Sequence, residues 1–177
     1  MTGTAVEPAT LAASPQLLAR GFAALRIFFG LIYLSNTIAK IFNIGMVEFG
    51  PFGFSLISRD GARGLLEGAA KETWITPLGA LYENLVLANW GFFQWFLTVA
   101  ELGIAVGLLF GIASRAAALG GLLLITPIWV MLWDEQLYLW QYPVDLFPLL
   151  LLAIVPAGRV GGLDGKLAAR FNGRWPF

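Results

Sequence analysis

Long apolar runs interrupted by single charges set the pattern of this chain. Residues 17–42 carry an uncharged centre, 27–39, between Arg26 and Lys40. Residues 91–114 follow with one charge, Glu101, and residues 116–133 with none. Residues 137–158 hold one charge, Asp145, and prolines at 143, 148 and 156. A helix rises about 1.5 Å per residue, so roughly 20 residues cross a hydrocarbon core of about 30 Å. Arg26 and Lys40 lie near the ends of the first run, from which long cationic side chains snorkel to the interface. The pattern therefore predicts an all-α, polytopic membrane protein, a bundle of four transmembrane helices. Pro127 is expected to bend the third helix and Pro148 the fourth, while Pro143 suits a first helical turn.

The rest of the chain falls between and around these spans. Residues 1–16 hold no Lys or Arg and no apolar core, and read as a flexible leader. Residues 17–158 form a single membrane domain, with residues 43–90 as its one long connection. Within that loop, residues 50–54 (GPFGF) are turn-like, and residues 59–71 and 77–89 suit short surface helices. The second of these places Leu78, Leu81, Tyr82 and Leu85 on one face. Residues 159–177 make a tail containing LDGKLAAR, an amphipathic end.

Charge sets an orientation. Arg20, Arg115, Arg159, Lys166, Arg170 and Arg174 fall on one side, and Arg59, Arg63 and Lys71 on the other. The short turns separate likewise, Arg115 marking one and Asp134 with Glu135 the other. Basic residues favour the cytoplasm, which places both termini there and the long loop outside. Aromatics cluster toward the outer half: Trp74, Tyr82, Trp90, Phe92, Phe93, Trp95, Trp129, Trp133, Tyr138, Trp140 and Tyr142, against Trp175 within. An interfacial belt and an aromatic-walled pocket for a flat ring both account for this.

Composition agrees with the pattern and removes several chemistries. Hydrophobic residues make up 58% and charged residues 12%, half the charged share of a soluble domain, and the formal net charge is zero. The chain thus offers no basic surface for nucleic acid; its evident partner is the lipid bilayer. Cys and His are both absent. Metal and haem sites built on those ligands, and thiol exchange, are excluded within this chain. No cofactor is expected to be covalently bound, and an electron-transfer role needs a diffusible quinone or a partner's centre.

The polar residues inside the spans carry the candidate chemistry. Arg26, Gly30, Tyr33, Thr37 and Lys40 follow helical spacing and form one stripe. Gln94, Thr98, Glu101 and Ala105 form another. From their depths the expected pairs are Arg26 with Glu101 and Lys40 with Asp145, with Asn36 joining the outer pair. Glu101 is the candidate proton donor or acceptor, and Arg26, Tyr33, Thr37, Lys40, Gln94, Thr98 and Asp145 the pocket around it. An intramembrane acid marks a functional site by default. Two acids and two bases also balance, as pairs that merely hold helices in register would. Gly103, Gly107 and Gly111 form a GxxxGxxxG packing stripe, with Gly120-Gly121 as a plausible internal mate.

Three segments resemble the DoxX family of small four-helix bacterial membrane proteins and the related DoxD-type subunit of thiosulfate:quinone oxidoreductase. They are RIFFGLIYLSNTIAKIF (26–42), AELGIAVGLLFGIASRAAAL (100–119) and AGRVGGLDGKLA (157–168). The long loop is more like the DoxD-type members. The resemblance implies the bacterial cytoplasmic membrane and a subunit of a larger, quinone-linked redox complex. Three functions stand open: an accessory or anchoring subunit, a catalytic quinone-binding subunit, and a carrier of protons or small solutes.

Overall fold

A computed structural model of the protein describes residues 14–133, 138–141 and 143–177. The leader before residue 14, the acidic turn at Asp134 and Glu135, the start of the fourth segment at residue 137, and Tyr142 lie outside the described residues. Helix α1 spans Pro15–Phe42. A hairpin of β1 (Met46–Phe49) and β2 (Phe52–Ser55) follows, then α2 (Arg59–Glu72) and α3 (Thr76–Leu81). A π-helical turn, Tyr82–Leu87, continues α3 and leads into α4, Trp90–Phe110. Helix α5 is Ser114–Met131 and α6 is Pro143–Ile154. A 3₁₀ turn at Ala157–Arg159 and a short α7, Asp164–Arg170, close the chain.

Three helices, α1, α4 and α5, are long and apolar enough to cross a membrane. This is the architecture of a helical membrane protein, with one small hairpin added to the all-α expectation. Helix α6 is apolar but shorter, at 12 residues. Its first residue is Pro143, whose missing N–H is harmless there, and Pro148 lies in its interior. Proline 127 lies inside α5, and the Thr126 hydroxyl beside it donates to Leu122 O at 2.6 Å.

Local chemistry explains the helix limits. Ser14 Oγ accepts from Leu17 N, so α1 starts on a serine cap followed by proline. Helix α1 ends at Asn43, in the left-handed region at φ 55. The Asn43 amide then donates to Asp60 at 2.6 Å, tying the end of α1 to the first turn of α2. Ser58 caps α2 through Gly61 N. The hairpin closes through Gly50 at φ +58, and proline fixes the next φ as negative, so a type II′ turn fits.

Helices α1 and α4 make the most extensive packing in the fold, running antiparallel. Glycine 30 permits the approach: a Cβ there would stand 2.8 Å from Leu109 Cγ. The main core holds Phe29 and Tyr33 from α1, Ile104, Ala105 and Leu108 from α4, Ala118 from α5, and Leu149 and Leu152 from α6. A second cluster seats the long loop on the end of the bundle where α1 stops and α4 starts, joining Ala62, Leu66 and Ala69 of α2 to Trp90 and Met131. From the following segment Leu78, Tyr82 and Val86 turn toward this cluster, whereas Leu81 and Leu85 are half exposed. The expected single face of Leu78, Leu81, Tyr82 and Leu85 is thus split, Leu78 and Tyr82 facing the cluster and Leu81 and Leu85 facing away from it.

Candidate functional site: an intramembrane ion pair and its cavity

The α1 stripe from Arg26 to Lys40 is the buried face of that helix, so its residues are shielded by neighbouring helices. Lysine 40 Nζ stands 2.9 Å from Glu101 Oε2 and donates to Ile57 O at 3.1 Å. The pairing expected from depth, Arg26 with Glu101 and Lys40 with Asp145, is not the one formed. Two features of helix geometry explain the difference. Side chains lean toward the N-terminus of their own helix, so in an antiparallel pair Lys40 and Glu101 lean toward each other. Arg26 leans the same way as Lys40, which from its level carries it away from Glu101, and α4 stops at Phe110, leaving Arg26 opposite the end of that helix rather than its middle.

Arg26, fully buried, serves instead as a clamp on backbone carbonyls. Its guanidinium donates to Leu108 O, to Leu109 O at 3.1 Å and to Gly161 O at 3.3 Å. Terminal carbonyls carry the negative end of the helix dipole, which a planar cation with several N–H groups suits well. Gly111 at φ +61 caps α4, and a Cβ there would stand 2.8 Å from Arg26 Nη1 and from Gly162 Cα.

Asp164 does the complementary work for α5. Its carboxylate accepts from Ala113 N at 2.7 Å, Ser114 N at 2.9 Å and Ser114 Oγ at 2.6 Å. An anion is thereby held at a helix N-terminus. Backbone bonds from Leu163 N to Phe110 O and from Asp164 N to Gly111 O seat the tail on the turn between α4 and α5. The tail was expected to be an amphipathic end, and its buried acid was missed. In the sequence Ser114 itself reads as the cap of this helix, so nothing nearby called for a distant acceptor.

A cavity of about 360 Å³ lies beside the ion pair, within the size range of small-molecule sites. Its polar groups are Tyr33, Asn36, Lys40, Glu101, Trp129 and Asp145. Phe29, Ile32, Leu97, Ile125, Ile128 and Leu149 supply apolar walls, and Ile57, Ala62, Leu65 and Leu66 cover it from the long loop. Asp145 has the Trp129 indole as its polar neighbour on the cavity wall, and makes no ion pair with Lys40. The Tyr33 hydroxyl passes close to Gly121, where a Cβ would stand 2.8 Å away.

Four of the expected pocket residues, Tyr33, Lys40, Glu101 and Asp145, line the cavity together. Four do not. Arg26 is engaged at the far end of α4. Thr37 donates to Tyr33 O, Thr98 to Gln94 O, and the Gln94 amide to Gly91 O, each bonding back to its own helix. The glycine stripe also divides. A Cβ on Gly107 would stand 2.5 Å from Ala117 Cβ, and Gly111 forms the cap, but Gly103 faces open space. Of its suggested mates, Gly120 lies nearest Ile104 and Gly121 accommodates Tyr33. Among the outer aromatics, Trp129 lines the cavity, Trp90 is buried, and Trp74, Trp133, Tyr138 and Trp140 are exposed in the manner of a belt. Trp95 stacks under Arg59 at 4.6 Å.

Comparison with known protein families, curated proteins and solved structures finds no match for this chain.

Proposed function

We propose that this chain is a DoxX-like integral membrane subunit of a quinone-linked redox complex in the bacterial cytoplasmic membrane, and that its cavity receives a quinone-type ring. In this reading α6 and the turn before it complete a fourth crossing, both termini are cytoplasmic, and the long loop covers the site from outside. The observation that carries it is the cavity itself. Apolar walls surround a small polar patch containing a buried ion pair, the pattern of a pocket for an apolar molecule with a polar head.

The roles follow from the side chains. Lys40 stabilises negative charge on a ring oxygen, and Glu101 gives or takes the proton. With neither Cys nor His in the chain, electrons come from a partner subunit. The test is quinone content of the protein purified in mild detergent, and binding of added decylubiquinone. Leu66→Trp, which fills the cavity, should abolish both. Binding unaffected by that change would remove the cavity as the site.

A second reading, an accessory subunit without a ligand, has the hairpin in its favour. Phe49, Phe52 and Phe54 lie on one face of it and are 78%, 70% and 54% exposed, a surface fit for another subunit. Loss of a co-purifying subunit in Phe49→Ser/Phe52→Ser, with no quinone bound in either protein, would favour that reading.

A further inference from the structure

We propose that the cavity prefers the reduced, hydroxyl-bearing form of its ring ligand, a hydroquinone, over the quinone; this rests on the quinone reading above. The polar wall is rich in hydrogen-bond acceptors. Glu101 and Asp145 bring two carboxylates, and Asn36 adds a carbonyl oxygen. Lys40 Nζ serves Glu101 and Ile57 O, and the Trp129 indole lies beside Asp145. The Asn36 amide and the Tyr33 hydroxyl each bring a donor with their acceptor, so the excess of acceptors comes from the two carboxyl groups. Arg26, the other buried cation, is turned away onto the end of α4. Asp145 makes no ion pair among the described residues.

Two carboxyl groups facing one ammonium leave the wall with more acceptor lone pairs than it has donors to fill. A quinone oxygen can only accept, so beside Asp145 it meets another acceptor. Each hydroxyl of a hydroquinone supplies the missing donor. Leaving a buried acceptor unmatched costs as much as a good hydrogen bond gains, so the difference between the two forms is large enough to measure. A cationic head would also satisfy Asp145, but beside Glu101 it meets the Lys40 ammonium, which a neutral hydroxyl does not. Tighter binding of the reduced form also favours reduction at the site. A tenfold preference raises the potential of the bound two-electron couple by about 30 mV.

The test compares decylubiquinol with decylubiquinone on the full chain in one detergent. Tryptophan quenching is read without oxygen, and both ligands are corrected for partition into micelles. The quinol is expected to bind about tenfold tighter, and Asp145→Asn to bring the ratio below about twofold. The wild-type ratio decides the matter even if the variant does not fold. Equal affinities, a preference for the quinone, or a ratio unchanged in a folded Asp145→Asn would overturn this inference and leave the quinone reading standing. Binding of neither ligand overturns both. Decylamine displacing the quinol at lower concentration than the quinol itself requires would assign the carboxylates to a cationic head, and would also overturn it.

Discussion

Lys40 and Glu101 join α1 to α4 by an ion pair of 2.9 Å, with side-chain exposures of 3% and 11%. Burial at both ends makes removal of one partner far worse than removal of both. A lone buried charge keeps its desolvation penalty without its compensation, at about 3–5 kcal/mol. Lys40→Met is therefore expected to lose about that much stability in detergent. The double variant Lys40→Met/Glu101→Gln should recover most of it, since replacing a buried pair by neutral groups is often nearly neutral. Thermal unfolding of the four proteins of this cycle measures the coupling. Additive losses would mean that the two groups do not depend on each other.

Two glycines, one on α1 and one on α4, should respond in opposite ways. A methyl group on Gly30 would stand 2.8 Å from Leu109 Cγ and 2.9 Å from Leu109 N, so α1 and α4 must separate to admit it. Gly30→Ala is expected to cost about 1–3 kcal/mol, the usual penalty of overpacking. Gly103 has nothing within 4 Å of a Cβ. Gly103→Ala should be neutral, or stabilising by up to about 1 kcal/mol through helix propensity. Unfolding midpoints in one detergent compare them directly. A loss at Gly103 equal to that at Gly30 would show that another surface covers Gly103.

The apolar runs made the long helices legible in the sequence, since length and hydropathy act over some 20 residues and tolerate small errors at the ends. Helical spacing likewise found the buried face of α1, and Tyr33 and Lys40 of the cavity with it, while Glu101 and Asp145 stood out as lone charges in apolar runs. Partner choice was less legible. It depends on which way side chains lean and on where α4 stops, and Gly111 stops it four residues before the apolar pattern ends at Ser114. Asp164 lay hidden because its three donors are about fifty residues away in the chain, and no local spacing records that contact. The split of Leu78 and Tyr82 from Leu81 and Leu85 escaped notice because residues three and four apart both fit one apolar stripe, and only packing chooses between them.

The seat of the tail gives a third expectation. Asp164 is 1% exposed and holds the start of α5 through three hydrogen bonds. Bonds to a charged group contribute about 1.5–3 kcal/mol each, so Asp164→Ala should be among the most damaging single changes in the chain. Ser114→Ala, which keeps both backbone bonds to Asp164, should cost about 1 kcal/mol. Gly158→Ala would drive a methyl group into both Asp164 and Ser114, and should resemble the loss of Asp164. Limited proteolysis of the tail reads these effects. Ligand binding by whatever folded Ser114→Ala protein remains should be unchanged, because this contact lies outside the cavity lining.

The orientation proposed for the chain can be read with single cysteines, because the natural sequence contains none to remove. Gly64 in α2 is exposed, and a Cβ there meets nothing within 4 Å, so Gly64→Cys places a thiol on the long loop without strain. Arg174→Cys places one on the exposed tail. The charge distribution favours the tail side as cytoplasmic, with Arg115, Arg159, Lys166 and Arg170 near it. A membrane-impermeant maleimide added to intact spheroplasts should therefore label Gly64→Cys and spare Arg174→Cys until the cells are broken. An odd number of crossings would put loop and tail on the same side, because α2 follows one crossing and the tail follows all of them. Labelling of both thiols in intact cells would thus reduce the crossings to three, and α6, at 12 residues, would be the helix that fails to span.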